Sequence, residues 1–406
     1  MPDQFDRNFS LSHLSVFAAV LEHGRISDAG KSMRRSPSAV SRSIGLLEEK
    51  FGRPLLVRST TGVSPTPEGE LVAARCRIIR TELAGLRVRL NQAVKDGVRA
   101  NAAVFQMQVD VSRLRAVIAV HDFGSAQRAC LPLDISQPAV SASIHHLETD
   151  LGVKLFSRTA SGMIATPAGV SSAFCFKRIL SELRKIKDDV DSCDGTPRGL
   201  ACVGGLAYSR KALLPEAIKR SLSTHPGIVV RTIEGTIGAL LTALHAGEID
   251  ALICAQPSPT LLEGVSLERI VWNQMGLFVS RHHPLAGRSR LSAAEVLSYP
   301  FILSPAGTVT RGLLDQGFIK AAERVPEGSV ETASYSIIRY LLLNSEMIAF
   351  RSIREFDMEM PSGRIARLDL DFELPGRWIC LLQREGVRQT AAVEGFLDTV
   401  RKVAAD

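Results

Sequence analysis

Apolar positions along the chain follow a pattern that is written twice. In LSHLSVFAAVLEHG, Leu11, Leu14, Phe17, Ala18 and Leu21 fall at helical spacing and are closed by Gly24. ISDAGKSMRR predicts a short second helix with Ala29 and Met33 facing inward. Ser36-Pro37, a capping residue followed by proline at the first helical position, opens a third helix with Val40, Ile44 and Leu47 on one face. LLVRSTTGVSPT predicts a short strand pair about a glycine turn. Thr66-Pro67 then caps a longer helix, roughly residues 68–94, with Leu71, Ile78, Ile79, Leu83, Leu86 and Leu90 apolar. The order is helix, helix–turn–helix, wing, long helix.

The same order returns one hundred residues later, from about residue 112 to 190, with Thr166-Pro167 in the capping role. Of the 56 positions from 14 to 69, 20 are identical to their partners one hundred later, without a gap, which marks an internal duplication. The second copy differs at Pro132, inside its second helix. Proline there removes an amide and clashes one turn back, at about 3 kcal/mol in a regular helix, so that helix is expected to kink or end early. Between the copies, DGVRANAAVFQMQVD reads as a short connector compatible with a strand.

After a linker, DSCDGTPRG (residues 191–199), the rhythm changes. Strand-like LACVGGLA, GIVVRTIEG and IDALICA alternate with helical SRKALLPEAIKRSL and IGALLTALHAGE. A second set follows, with RIVWNQMGLFVS read as one strand-like segment, then LSAAEVL, PFILS, TRGLLDQGFIKAA, IIRYLLLNS, MIAFRS, RWICLLQR and the final helix VEGFLDTVRKVA. Alternation of this kind predicts an α/β domain with a largely parallel sheet. Two such halves joined by crossing segments leave a cleft, a common ligand site. The expected division is 1–95 and 109–192 for the two winged helix–turn–helix units with their long helices, and 197–406 for the α/β domain. Its first lobe is expected at about 197–267 and 371–406, its second at about 268–370.

Charge changes the picture more than composition does. The net charge of +7 divides into +6 for residues 1–95, zero for 96–196 and +1 for 197–406. A basic module on a neutral body is an electrostatic footprint for nucleic acid, although a solvated basic surface looks the same by charge alone. The N-terminal end of a third helix of this kind can enter a major groove. In copy one it offers Ser36, Ser38, Ser41 and Arg42, with Arg34 and Arg35 before it and Arg53 and Arg58 near the wing. In copy two it offers Ser136, Gln137, Pro138 and Ser141, with Lys154 and Arg158 near the wing. Gln137 suits an adenine edge, but Asp134, Ile135 and Ala142 replace Arg34, Arg35 and Arg42. Copy one is therefore expected to be the stronger DNA contact, and copy two a weaker reader, a spacer or a dimerisation piece.

Other chemistry is sparse. No apolar run reaches the ~18 residues of a membrane helix, and the acidic N-terminus lacks a signal-peptide core, so a cytoplasmic protein without a membrane partner is expected. Seven cysteines without close metal-like spacing agree with a reducing compartment. His145-His146 and His282-His283 lack metal spacing and are expected at the surface. No nucleophile motif or phosphate loop is present, and the glycines of VGGLA lack dinucleotide spacing, so neither a metal, a cofactor nor an enzyme is expected.

The stretch from GRISDAGKSMRRSPSAVSRS to the Thr-Pro-x-Gly at Thr66, and still more ISQPAVSASIHHLETDLGVKLFSRTASGMIATPAG, resembles the winged helix–turn–helix of LysR-type transcriptional regulators. The SQPAVS element, the Leu-Glu pair, Leu-Gly, the wing Arg and Thr-Pro-x-Gly fall in that family's order. LLTALHAGEIDALI and HHPLAGRSRLSAAEVLSYPFIL are similar to its effector-binding domain, which resembles a type 2 periplasmic binding protein. The chain departs from the family in carrying two units, in Pro37 where the family has Gln, and in Ala142 where it has Arg.

The resemblance implies a homodimer or homotetramer on double-stranded promoter DNA, with a small-molecule effector in the cleft. It implies that a long helix pairs with its dimer mate through Leu71, Ile78, Leu83 and Leu90, packing on its own module being the rival. It also implies that the loops holding Tyr208, Ser209 and Arg210, then Gly235 and Thr236, then Ser304, Gly307 and Thr308, then Thr332 and Ser334 face the effector. Amides and hydroxyls at helix starts suit an anion; ordinary capping is the rival reading. Arg210 and Arg311 suit a carboxylate, with a surface ion pair as the rival. Two other functions stay open: a ligand-binding protein whose winged units serve assembly, and a thiol-based redox regulator using Cys193 and Cys202.

Overall fold

Both copies of the repeat fold to one plan. The computed structural model describes residues 10–60, 62–93, 97–159, 162–206, 209–322, 324–356 and 360–406. Copy one is built from α1 (Leu11–His23), α2 (Ile26–Ser32), α3 (Pro37–Phe51), β1 (Leu56–Arg58), β2 (Val63–Pro65) and α4 (Pro67–Ala93). Copy two is built from α5 (Val111–Phe123), α6 (Ala126–Leu133), α7 (Gln137–Leu151), β3 (Phe156–Thr159), β4 (Gly162–Ala165) and α8 (Pro167–Asp191).

The plan repeats because its local devices repeat. Glu48 Oε1 accepts the amides of Leu55 (2.9 Å) and Leu56 (3.3 Å), clamping the first wing strand to α3. Glu148 Oε1 does the same for Leu155 (2.9 Å) and Phe156 (3.3 Å). A Cβ on Gly69 would lie 2.1 Å from the Leu55 carbonyl oxygen, and one on Gly169 2.0 Å from that of Leu155. Only glycine lets each long helix start against its wing strand.

Two expectations for the repeats are corrected. Helix α6 does not end early. Pro132 sits in its last turn, and the helix stops at Leu133, one residue past the point equivalent to the end of α2. Asp134 leaves it in the left-handed conformation (φ 55°), as Arg34 does after α2 (φ 53°), so the ring disturbs only the final turn. The connector holds no strand between residues 97 and 109; a 3₁₀ turn at Ala103–Gln106 is tied to α7 by the Asp150 carboxylate, which accepts the amides of Ala103 (2.9 Å) and Val104 (3.1 Å).

The C-terminal region contains two five-stranded sheets. The strands of the first are β5 (Gly199–Gly205), β6 (Ile228–Ile233), β7 (Ala251–Ala255), β8 (Val265–Asn273) and β14 (Arg377–Arg384), in the order β6-β5-β7-β14-β8. It carries α9 (Leu214–Thr224), α10 (Ile237–His245) and α14 (Ala391–Ala405). The second has the order β11-β10-β12-β9-β13, from β9 (Met275–Ser280), β10 (Phe301–Leu303), β11 (Gly328–Glu331), β12 (Ile348–Ser352) and β13 (Ile365–Arg367). It carries α11 (Ala293–Leu297), α12 (Val309–Ala322) and α13 (Tyr335–Asn344). The sheets are mixed rather than largely parallel: β14 runs antiparallel to β7 and β8, and β9 to β12 and β13. RIVWNQMGLFVS is two strands, β8 and β9, which change sheet at Gln274, so the chain enters each half in the direction opposed to its neighbours.

Helices α4 and α8 join the two copies. One apolar core runs through both, with Cys76, Ile79, Leu83, Leu86 and Leu90 of α4 and Phe176, Ile179, Leu183, Ile186 and Val190 of α8. Leu71 and Ile78 are only half-buried. Inside this seam Arg75 is fully buried, its Nε 2.8 Å from Asp189 and its Nη1 2.7 Å from Glu182. Burial works against its charge, but the hydrogen bond to Asp189 and the charges of Glu182 and Asp189 outweigh it and raise its pKa. The same Nη1 donates to the Arg388 carbonyl (2.7 Å), so the cluster also touches the C-terminal region. Arg384 reaches Glu82 (3.1 Å), Lys185 reaches Asp250 (2.9 Å), and the Leu200 amide donates to Asp188 (3.2 Å).

Arg75→Met strands two carboxylates in a dry seam, and urea denaturation should show a loss of about 3–5 kcal/mol. A loss below about 1 kcal/mol, the range of exposed pairs, would contradict the seam's burial. Burial also pushes the Asp188 carboxyl up to about 6, the Leu200 amide and Arg184 only partly opposing it. The folded chain therefore holds this proton more tightly than the unfolded one. The stability this contributes is present below about pH 4 and is lost as pH rises through about 6. Asp188→Asn should raise stability at pH 8 by roughly 2 kcal/mol and flatten its dependence between those values, measured by denaturation across pH; destabilisation at pH 8 would contradict it.

Candidate nucleic-acid interface and effector cleft

The start of α3 presents a polar, basic face. Ser36 caps the helix, its Oγ accepting the Ala39 amide (3.3 Å) and lying 3.0 Å from Ser38 Oγ. Ser38 and Arg42 lie one helical turn apart on the same face, and both are exposed. Arg34 and Arg58 are exposed as well, and Ser41 is half-buried. Two predicted arginines are held by the fold: Arg35 donates to Ser12 Oγ on α1 (3.2 Å), and Arg53 pairs with Glu68 at the start of α4 (3.2 Å).

Helix α7 presents a different face from the same backbone. Ser136, Gln137, Pro138 and Arg158 are exposed, and Ser141 is half-buried. Lys154 pairs with Glu148 (2.7 Å), beside the clamp on the wing. Sequence reasoning missed that apolar side chains replace basic ones in the open here. Leu131 is 90% exposed where copy one has Lys31, and Ile135 is 38% exposed where it has Arg35. The substitutions were visible in the repeat alignment; their exposure was not. The clamp role of Glu48 and Glu148 was also missed, although their identity in both copies marked them.

The predicted effector loops are placed unevenly. Tyr208 and the side chain of Arg210 lie outside the described residues. Ser209 is buried, its Oγ donating to the carbonyls of Leu206 (2.8 Å) and Ile253 (3.1 Å), so this hydroxyl pins the loop after β5. Gly235 and Thr236 are exposed, with Thr236 Oγ1 capping α10 through the Ala239 amide (3.3 Å). Ser304 is half-buried and Gly307 turns with φ 76°. Thr308 Oγ1 donates to the Pro305 carbonyl (2.7 Å) and accepts the Arg311 amide (3.3 Å). Thr332 Oγ1 accepts the amide of Ser334 (3.1 Å), and Ser334 is exposed. Arg311 is engaged by Asp315 (3.0 Å). Lys211 was missed: its ammonium sits 3.2 Å from the centroid of the Tyr335 ring and 5.6 Å from that of Phe356, a cation–π contact between the two sheet halves. A groove of about 580 Å³ lies elsewhere, beside the crossing segments, lined by Trp272, Gln274, Arg367, Asp369 and Glu373 among others.

Of the paired histidines, His145, His146 and His282 are exposed, but His283 is buried, its Nδ1 accepting the Leu285 amide (3.1 Å). This corrects the expectation of a surface position, and burial lowers its pKa. Cys202 is buried in the first sheet and Cys193 follows α8; burial raises both thiols, which disfavours the reactive thiolate. Among the described residues no group of three or more His, Cys, Asp or Glu could hold a metal, and no helix is long and apolar enough to cross a membrane.

Comparison with known proteins accounts for both ends of the chain. The family model described as "Bacterial regulatory helix-turn-helix protein, lysR family" matches twice, at residues 11–70 and 111–170. That described as "LysR substrate binding domain" matches residues 194–405. The chain is 32% identical over 397 residues to the HTH-type transcriptional regulator GalR of Pseudomonas putida, spanning 98% of each. It is 26% identical over 300 residues to the RuBisCO operon transcriptional regulator of Allochromatium vinosum, spanning 74% of this chain and 98% of that one. The solved structure of CbnR, a LysR family transcriptional regulator, shares the fold at 21% identity and a TM-score of 0.54, covering 73% of this chain and all of its own.

If the Glu48 carboxylate holds wing one, Glu48→Ala should speed amide exchange at Leu55 and Leu56 by the equivalent of about 1–3 kcal/mol, leaving Leu155 and Phe156 unchanged. Glu148→Ala should do the reverse. Equal effects on both wings from one substitution would contradict independent clamps.

Proposed function

The chain belongs to the LysR family of DNA-binding transcription regulators, and from that premise we propose how its parts divide the work. The start of α3 reads promoter DNA. The observation that carries this is the exposed Ser38–Arg42 face on the one module that holds +6 of the chain's net charge. Arg42 suits a guanine edge, and Arg34 and Arg58 suit phosphates. Helix α7 reads more weakly, through Gln137 and Ser141. Arg53 ties the turn after α3 to the start of α4, and Lys154 pairs with the clamp carboxylate of Glu148.

The C-terminal domain takes a small-molecule effector between its two sheets. The ammonium of Lys211 and the starts of α10 and α12 suit an anionic one. Such a ligand acts by differential affinity for two arrangements of the halves. The change reaches the heads through the strands that grip the long helices, at Asp250–Lys185, Leu200–Asp188 and Arg384–Glu82. We place the protein in the cytoplasm, as a homodimer or homotetramer, with no catalytic activity.

Arg42→Ala should weaken binding to a selected promoter duplex about ten- to hundredfold and lower the salt slope by about one unit, measured by fluorescence anisotropy over a salt series. Gln137→Ala should cost less. Equal or reversed effects would overturn the ranking of the heads.

A further inference from the structure

The contacts between the two copies come in exchanged pairs. Glu82 of α4 meets α8 at position 175, where the Cys175 thiol donates to the Glu82 carbonyl (3.5 Å). Glu182, one repeat later, meets α4 at position 75, where Arg75 binds its carboxylate (2.7 Å). With the hundred-residue repeat removed, both contacts join position 82 of one copy to position 75 of the other. Ser10 and Asp110, the same repeat position, form an antiparallel bridge with each other. A residue meets its own counterpart only at a two-fold axis. The buried seam repeats in the same way, with Ile79 and Ile179, Leu83 and Leu183, Leu86 and Ile186, and Leu90 and Val190. This is a closed isologous interface, and it lies inside one polypeptide.

Such an interface leaves the joined faces of α4 and α8 nothing to offer a second chain. We propose that a single chain supplies a complete two-headed DNA clamp, and that its target is a pair of unequal half-sites read by α3 and α7 of the same molecule. The proposal rests on the DNA-binding reading above. The half-sites differ because the heads do. Head one offers Ser38 and Arg42, which suit guanine; at those positions head two has Pro138 and Ala142. Head two offers Gln137, with Leu131 and Ile135 exposed nearby, and so suits adenine and the thymine methyl. Half-site two is therefore rich in A·T pairs, and half-site one contains G·C pairs. The paired long helices fix the spacing between them.

The test uses the full chain and duplexes it selects from a randomised pool. Native mass spectrometry should find one copy of the shortest duplex bound at full affinity for each chain of the oligomer, with both half-sites protected in a footprint. Scrambling either half-site should weaken binding about a hundredfold, as loss of a linked contact does. Inserting about 5 base pairs between them, half a helical turn, should do the same. A chain crippled in head one (S38A and R42A) mixed with a chain crippled in head two (Q137A and S141A) should not restore affinity. Rescue by mixing, two chains that each cover one half-site, or protection of one half-site alone would overturn the inference and leave the DNA-binding function standing. Failure to select any duplex over random DNA would remove that function itself.

Discussion

Arg75 lies fully buried between Glu182 and Asp189, and the relative placement of the two winged modules depends on what that guanidinium joins. The apolar seam of α4 and α8 supplies the attraction, but leucines and isoleucines along two helices would tolerate a shift of one turn. A buried arginine with two fixed carboxylates does not, because any slip leaves charge unpaired in a dry environment. Net stability from such a cluster is small compared with its power to select one register. The Arg388 carbonyl accepts from the same guanidinium, and Arg384 reaches the neighbouring Glu82, so the effector domain is seated on the joint that orients the heads.

The duplication separates positions kept for the fold from positions that differ at the surface. Leu14, Val20, Ala29, Val40, Ile44, Leu47 and Leu55 are buried, and their counterparts one hundred later are the same residues, also buried. Gly69 and Gly169 meet the same strand carbonyl. On the exposed faces, Arg42 stands against Ala142 and Lys31 against Leu131. One backbone plan thus carries two surfaces, one basic and hydroxyl-rich, the other amide-bearing and partly apolar.

Much of this fold was legible because its determinants are local. Capping pairs such as Ser36-Pro37 and Thr66-Pro67 announced the helices, and the glycines announced the wings. What lay beyond reach was the partner of each face. The stripe on α4 showed that Leu83 and Leu90 would be covered, but not that α8 of the same chain covers them. Strand direction is equally silent in an apolar run, so the mixed sheets and the break at Gln274 came only with the structure. At the site, Ser38 and Arg42 stand exposed at the start of α3, where helix spacing placed them. Arg53, Lys154 and Ser209 turned out to be engaged by Glu68, Glu148 and two backbone carbonyls, partners set by how the turns and loops fold and not by helix spacing. Arg311–Asp315 is an i,i+4 pair that spacing alone could have found.

The central claim, that the long helices pair within one polypeptide, is tested most directly by amide hydrogen exchange of the free chain diluted from micromolar to nanomolar concentration. Protection across residues 72–90 and 172–190 should not change on dilution. Protection that falls with concentration would mean that the seam forms between chains, and would contradict the account.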